Sequence, residues 1–389
     1  MENIKKIIKQ NMRQYAMLVA LLTIMLFFQI VSGGILLRPI NVQRIIMQNS
    51  YVLILAIGML LCILTGGNID LSVGSVVAFV SATSALFSVV LGLPVLVSIG
   101  LSIICGVLAG MWQGFWISYV KIPSFIVTLG GMLVFRGINN LILEGQTIAL
   151  PDLYITIASG TIPDFFNNGT LHLTTLIIGV TASLFYLFFK RLDRKSKIKN
   201  SFHVSSYKAY LFEIISIFLI INLFMFWLSL AEGLPYIVIL LIALISIYSF
   251  ITKKTVYGRH IYAMGGNSRT AELSGVKTKK ILFAVYANMG LMAAVAGIVF
   301  AGRLNSSSPV AGVGFELDAI AACFIGGASA TGGVGTVMGA IIGGLIMGIL
   351  NNGMSIMGIN IFWQSIVKGL VLLFAVAFDV YSKSKSKTK

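Results

Sequence analysis

The chain has 389 residues, of which 58% are hydrophobic and only 10% are charged, and its formal net charge is +16. A soluble domain carries roughly 25% charged residues, so this composition excludes an ordinary water-soluble domain and predicts an exterior solvated by lipid. The Lys and Arg residues are gathered in a few connecting segments and the two tails, without a basic stripe interleaved with aromatics. The positive charge therefore indicates membrane orientation and not nucleic-acid binding.

Twelve apolar runs predict an all-α polytopic membrane protein in which residues 1–389 form a single transmembrane domain. The first run, 15–31, follows a Lys-rich start without a small-x-small cleavage site, so we expect a retained helix and not a signal peptide. The runs 50–65 and 317–330 are shorter than the roughly 17 residues that cross a bilayer, so each either crosses or re-enters. The other runs are 71–90, 93–120, 124–143, 171–189, 209–230, 234–252, 281–301, 334–351 and 362–380.

The distribution of Lys and Arg predicts the orientation of these segments. With the N-terminus inside, most of the 28 Lys and Arg residues fall on the inner side, while Arg38, Arg44 and Arg303 fall on the outer side. The long outer loop 144–170 carries acidic residues and no Lys or Arg. Because cytoplasmic loops are enriched in Lys and Arg, we expect both termini and the segment 253–280 in the cytoplasm.

The segment 253–280 is a polar, basic stretch between two long apolar runs. Two glycines break the chain before Asn267, which offers the oxygen of a helix N-cap, as does Ser268. Residues 269–274 then have room for about two helical turns. Gly275 suits the left-handed position that commonly follows the last turn of a helix.

The predicted short helix has two features of a docking surface. Leu273 offers an apolar side chain, and the small residues Ala271, Ser274 and Gly275 would let another surface approach closely. On these residues alone, the segment is either a docking lever for a soluble partner or an ordinary connecting loop.

Two glycine-rich breaks, Gly66–Ser75 and Gly326–Thr336, interrupt the apolar runs. Backbone groups freed inside a membrane must be buried in protein or face a water-filled cavity, and broken helices are frequent beside translocation paths. Tight helix packing is the alternative interpretation. Asp70 either caps the helix that follows it or lines a polar cavity. The candidate pathway residues are Asn68, Asp70, Ser72, Ser75, Gly326 and Gly327.

Few ionisable residues lie close to the apolar runs. Glu316 and Asp318 are placed by the pattern at the outer edge of a span, where they either cap it or face a docked partner. The sequence contains no GxxxxGK[ST] phosphate loop, nucleophile elbow or HExxH motif, and its three cysteines are scattered. We therefore expect no catalytic residue, no metal site and no cofactor in this chain.

Five separated segments resemble those of a known family, the sugar ABC-importer permeases of the ribose/xylose branch. Nearly the whole chain takes part in this resemblance. The segments are GGNIDLSVGSVVAF (Gly66–Phe79), KIPSFIVTLGGMLVFRG (Lys121–Gly137), YAMGGNSRTAELSGVK (Tyr262–Lys277), ELDAIAACFIGGASATGGVGTVMGA (Glu316–Ala340) and LNNGMSIMGINIFWQSIVKG (Leu350–Gly369).

This resemblance implies a ten-span permease core in a bacterial plasma membrane, paired with a second permease copy. It also implies an ATP-binding subunit, which carries the ATP and Mg, and an extracytoplasmic sugar-binding protein. The segment that matches Gly266–Gly275 is the family's cytoplasmic coupling region. The coupling residues implied are Gly266, Asn267, Arg269, Ala271, Glu272, Leu273 and Gly275.

The chain departs from the ribose members of the branch by an extra hairpin, 171–230, with a basic inner turn. In this respect it is similar to the xylose permeases, so the resemblance implies D-xylose as the substrate. Arabinose, galactose, ribose or several sugars are the alternatives.

The implied mechanism is alternating access. The binding protein docks on the loops 144–170 and 303–318, and closure of the ATP-binding subunits pushes on residues 269–275. The main rival is an ion-coupled secondary transporter or channel, which the scarcity of intramembrane carboxylates opposes. A membrane scaffold without a solute path is the third alternative.

Overall fold

The computed structural model describes the backbone of residues 2–166, 169, 171–202, 204 and 206–387. It describes side chains over 17–166, 169, 171–202, 204, 206–377 and 379–381. The Lys-rich start therefore lies outside the described side chains, as does the end of the chain. The helices are α1 Glu2–Val31, α2 Pro39–Leu64, α3 Val73–Ala85, α4 Val95–Phe115, α5 Ser124–Leu143, α6 Asp152–Ser159, α7 Leu173–Lys199, α8 Tyr207–Ser229, α9 Tyr236–Lys254, α10 Val256–Gly266, α11 Ser268–Leu273, α12 Thr278–Leu304, α13 Phe315–Ile325, α14 Val337–Ile356 and α15 Ile361–Lys387.

The predicted fold class, an all-α polytopic membrane protein, is confirmed. Each of the twelve predicted apolar runs coincides with a helix, and ten helices of the described chain are long and apolar enough to cross a membrane. One turn of π-helix extends α3 to Val90 and another extends α4 to Val120. The strands β1 Ile148–Ala149 and β2 Ser306–Ser307 pair antiparallel and join two loops.

Helix α2 is longer than its apolar run. The run 50–65 is short, but the helix begins at Pro39 and has 26 residues, so the re-entrant alternative is wrong for this segment. Its first turns are polar, which hid them from the hydropathy pattern. Gln43, for example, is buried and contacts the backbone before α9, donating to Gly233 O at 3.3 Å and accepting from Glu232 N at 3.2 Å. A polar side chain is tolerated among membrane helices when protein groups satisfy it.

The second short run remains short in the structure. Helix α13 has only 11 residues and ends at Ile325, which makes it about 16 Å long, half the thickness of a bilayer core. The loop 305–314 precedes it and the glycine-rich segment 326–336 follows it. The non-helical segments on both sides of this half-helix are partly buried, for example at Ser307 and Ala328, whereas Val310 and Val334 are exposed.

Helix α2 lies at the centre of the fold, and its residues 52–64 are all buried. Helix α12 packs against α2, α3 and α4, and α14 covers another side of α2. The contact between α4 and α12 is made by glycines: a Cβ on Gly110 would lie 2.8 Å from the Cα of Gly290. Since lipid provides no hydrophobic drive for helices to associate, such close van der Waals packing is what holds them together.

The extra hairpin differs from its prediction in where the basic residues lie. Helix α7 does not stop with its apolar run at 189 but continues to Lys199, so most of the predicted basic turn is helical. Lys and Arg are good helix formers, and Asp193 pairs with Lys197 at 2.6 Å one turn further on. The connection to α8 shrinks to residues 200–206.

We expect Gly110→Val to destabilise the fold, whereas Gly100→Val on the same helix should not. A side chain at 110 collides with α12, but a Cβ at 100 meets no described atom within 4 Å. Overpacking typically costs about 1–3 kcal/mol, and both variants carry the same helix-propensity cost. Thermal unfolding in detergent measures the difference, and equal melting temperatures would contradict the close approach of α4 and α12.

Candidate functional site: the glycine junction and helix α11

The two glycine-rich breaks that the sequence singled out touch each other. We name the contact between residues 65–72 and 326–336 the glycine junction. The backbone N–H of Gly333 donates to the carbonyl oxygen of Leu64 at 3.1 Å, and a Cβ on Gly332 would lie 2.5 Å from the Cα of Gly66. Gly332 also has a φ of 83°, which other residues rarely adopt. The glycines therefore serve a contact between the two backbones.

The end of α10 is fixed to the same junction. A Cβ on Gly265 would lie 2.8 Å from the Cα of Gly333 and would overlap the carbonyl oxygen of Leu64. Tyr262 donates its hydroxyl to the carbonyl oxygen of Gly335 at 2.7 Å. Burial raises the pKa of the Tyr262 phenol, so the group remains a hydrogen-bond donor at neutral pH. The segment 253–280 is thus attached to both breaks at once.

Helix α11 forms where the sequence predicts a short capped helix. The side chain of Asn267 accepts a hydrogen bond from the N–H of Thr270 at 3.0 Å, and Gly275 has a φ of 86° after the last turn. Leu273 is 76% exposed, as a docking residue requires. Ala271 is only 5% exposed, so its small size lets α11 pack on its own chain and does not admit another surface.

Asp70 holds the turn that leads into α3. Its Oδ1 atom accepts hydrogen bonds from Ser72 N at 2.8 Å and from Ser72 Oγ at 2.6 Å, and Gln113 donates to the same hydroxyl at 2.6 Å. All three residues are buried. Ser75 Oγ and Gln113 Oε1 are also buried and have no hydrogen-bond partner among the described residues. The N-cap of α3 is Ser72, which Asp70 contacts, so the two roles expected of Asp70, a helix cap or the lining of a polar cavity, stay predictions.

The remaining candidate pathway residues lie at the edges of the junction. Asn68 donates to Thr65 Oγ1 at 3.1 Å. Gly326 ends α13, where a Cβ would overlap the carbonyl oxygen of Gly339 on α14. Gly327 follows with a φ of 80°. These contacts show tight helix packing at Gly326, which is the alternative that the sequence left open.

Glu316 is partly buried and lies in the first turn of α13. A Cβ on Gly74, in the first turn of α3, would lie 2.6 Å from Glu316 Oε2. The loop before α13 contacts α5, where Arg136 donates to its carbonyl oxygens at Pro309 and Ala311. The expected position of Glu316 at the outer edge of a span stays a prediction.

Asp318 is not at a docking surface. It is 2% exposed, and Lys368 on α15 contacts its two oxygens at 3.1 and 3.2 Å. A buried carboxylate needs such a partner, because an uncompensated charge inside a protein costs several kcal/mol. Lys368 thereby ties α15 to α13.

The two outer loops proposed from the sequence for partner docking form one surface. Ile148 pairs with Ser307 and Ala149 with Ser306 in the short β1–β2 ladder. The ladder joins the loop 144–170 to the loop 303–318. In the first of these loops, residues 167, 168 and 170 are not described. This connection was not visible in the sequence, since two-residue strands have no periodicity.

Comparison with known families gives the class of protein. The family model for "Branched-chain amino acid transport system / permease component" matches residues 41–376. The chain therefore belongs to this family of transport-system permeases. The match covers the span from the start of α2 into α15, and so includes the glycine junction and α11.

The similar individual proteins are sugar permeases. The xylose transport system permease protein XylH of Haemophilus influenzae is 38% identical over 377 residues, covering 96% of this chain and 98% of that protein. XylH of Escherichia coli K12 is also 38% identical, over 97% of this chain and 94% of that protein. The ribose import permease protein RbsC of Bacillus subtilis is 32% identical over 88% and 85%. No solved structure matches the chain.

We expect Gly265→Val to separate α10 from the glycine junction, with Gly266→Val as the matched control. A side chain at 265 meets the backbone of Leu64 and Gly333, whereas a Cβ at the next residue meets no described atom within 4 Å. Overpacking against backbone should cost about 1–3 kcal/mol or more. Faster proteolysis within 253–280 and a lower melting temperature for Gly265→Val alone are the expected results. Similar behaviour of both variants would rule out the contact.

Proposed function

We propose that this chain is the membrane-spanning permease of an ATP-binding-cassette importer that carries D-xylose across a bacterial plasma membrane. The observation that carries the proposal is the 38% identity with xylose permeases over nearly the full length of both chains. Ribose permeases match at 32–33% and over a smaller share of the chain, so ribose is an alternative substrate, as are arabinose and galactose.

Helix α11 is the proposed contact for the ATP-binding subunit, which binds the ATP and Mg in this arrangement. Its exposed Leu273 can enter a cleft on that subunit, flanked by the exposed residues Arg269 and Glu272. A short helix that ends in left-handed Gly275 is a rigid body. Of the coupling residues implied by the sequence, Ala271 is buried and is not part of the proposed contact surface. The others are Gly266, Asn267, Arg269, Glu272, Leu273 and Gly275.

Few contacts separate α11 from the membrane helices, so a force applied to α11 can reach them. Helix α10 contacts α11 and is bound to the glycine junction at Gly265 and Tyr262. The junction contains the end of α2, the approach to α3 and the approach to α14. Displacing α10 must therefore move these helix ends or break the Gly333–Leu64 hydrogen bond, which is how we propose that the inner gate opens.

The proposed sugar route passes the start of α3. A monosaccharide is rich in hydroxyl groups, and the unsatisfied oxygens Ser75 Oγ and Gln113 Oε1 are acceptors suited to them. Asn68, Asp70 and Ser72 surround the same turn, in which Asp70 accepts hydrogen bonds from Ser72. In this proposal, Gly326 and Gly327 allow α13 to move and do not contact the sugar.

The outer partner is proposed to be a sugar-binding protein that docks on the surface joined by β1 and β2. Asp318 is buried and Glu316 is partly buried, so the proposed docking uses the loops that the ladder joins. A second copy of the permease completes the proposed assembly. The exposed apolar stripe Phe125, Leu129 and Leu133 on α5 is available to that copy or to lipid.

Reconstituted transport tests the proposal. We expect uptake of labelled xylose into proteoliposomes only when the chain is combined with its ATP-binding subunit, its binding protein and internal ATP. The binding protein encoded with it should retain xylose in preference to ribose, arabinose and galactose. Uptake driven by an ion gradient without the ATP-binding subunit would instead support a secondary transporter, and no uptake of any solute would support a scaffold.

We expect Gly275→Trp to uncouple ATP hydrolysis from uptake while leaving membrane insertion intact. A tryptophan there is strained by the left-handed backbone and changes the surface of α11, while its Cβ meets no described atom within 4 Å. Gly92→Trp is the matched control, because Gly92 also has a positive φ and open space but lies between α3 and α4. Normal uptake by Gly275→Trp would contradict the role of α11, as would equal loss in both variants.

A further inference from the structure

The hairpin of α7 and α8 ends in a cavity of about 530 Å³ that the proposed transport route does not use. Arg191, Arg194 and Lys195 form its wall on α7. Residues three and four apart lie on one face of a helix, so these three cations point into the same space. The end of the hairpin is therefore a concave basic site.

The opposite wall comes from α8 and repeats the same spacing with Tyr207, Tyr210 and Leu211. The guanidinium carbon of Arg194 lies 4.4 Å from the centre of the Tyr210 ring and 6.0 Å from that of Tyr207. Stacking of this kind orients the plane of the guanidinium group. The charge of Arg194 therefore lies against the α8 wall of the cavity.

The two acidic residues of this stretch pair with lysines outside the cavity. Residues 190–213 contain seven Lys or Arg and two acidic residues. Glu213 pairs with Lys190 at 2.5 Å and Asp193 pairs with Lys197 at 2.6 Å, and neither lysine lines the cavity. An anion that enters the cavity is therefore attracted by an excess of positive charge.

The position of the cavity indicates which kind of anion it binds. Helices α7 and α8 are both long and apolar enough to cross a membrane, and the cavity lies at the end where they are connected. Exposed apolar side chains, Ile198 and Leu211, line it together with the cations, and Phe188 and Phe212 are exposed further along the hairpin. A ligand here meets positive charge and an apolar surface next to each other.

We propose that this cavity binds the phosphate headgroup of an anionic phospholipid, with its acyl chains lying along α7 and α8. Arginine suits this task because its planar donors match the oxygens of a phosphate. Basic pockets between transmembrane helices are a known arrangement for anionic lipid headgroups. The site is built on the extra hairpin and does not depend on which solute the chain carries.

The test measures lipid binding to the full-length chain in detergent by native mass spectrometry. Phosphatidylglycerol, cardiolipin and phosphatidylcholine are added separately to the unchanged chain and to the variant Arg191→Gln/Arg194→Gln/Lys195→Gln. The unchanged chain should bind the two anionic lipids more tightly than phosphatidylcholine. The triple variant should bind them about 100-fold more weakly, given the contribution of each basic residue near a membrane surface.

The control variant Lys277→Gln/Lys279→Gln/Lys280→Gln removes three exposed charges from another basic segment and should bind the lipids as the unchanged chain does. Melting temperatures verify that both variants are folded. Equal lipid binding by all three proteins would overturn the proposal. So would full competition by inorganic phosphate alone, because the cavity would then be a site for free anions and not for lipid.

Discussion

The structure depends on close contact between backbones at the glycine junction. In a membrane, helices gain no hydrophobic free energy by associating with one another, so contact distance decides how strongly they pack. At this junction the ends of α2 and α10 and the segment before α14 meet through Leu64, Gly265 and Gly333. A methyl group at either glycine would force the segments apart, which is why both positions are glycine.

A second constraint applies to the buried charges, because each polar group inside a membrane needs a partner. Asp318 has Lys368, Asp70 has Ser72, and Arg136 has the carbonyl oxygens of the loop before α13. These contacts hold helices and loops in place. Several buried oxygens have no partner among the described residues, and those of Ser75 and Gln113 are the proposed contacts for a sugar because they lie near the start of α3.

The segment 253–280 and the extra hairpin have separate roles in the proposed assembly. Helix α11 presents an exposed apolar residue and is tied to the core through α10. The hairpin contacts the core much less and carries its charge at the end where its two helices are connected. In the proposal, a partner pushes on α11 to move the membrane helices, whereas a lipid binds the hairpin and anchors the periphery.

The sequence by itself determined the class of protein, the twelve apolar segments and the capped helix α11, because hydropathy, charge placement and capping are local properties. It did not show that α2 begins at Pro39, since its polar first turns are satisfied by residues such as Glu232 that are distant in sequence. Only the tertiary structure decided that Asp318 is buried and that Ala271 faces inward. Whether a residue meets water, lipid or another helix depends on which segments pack together, and that choice is made by contacts such as those of the glycine junction.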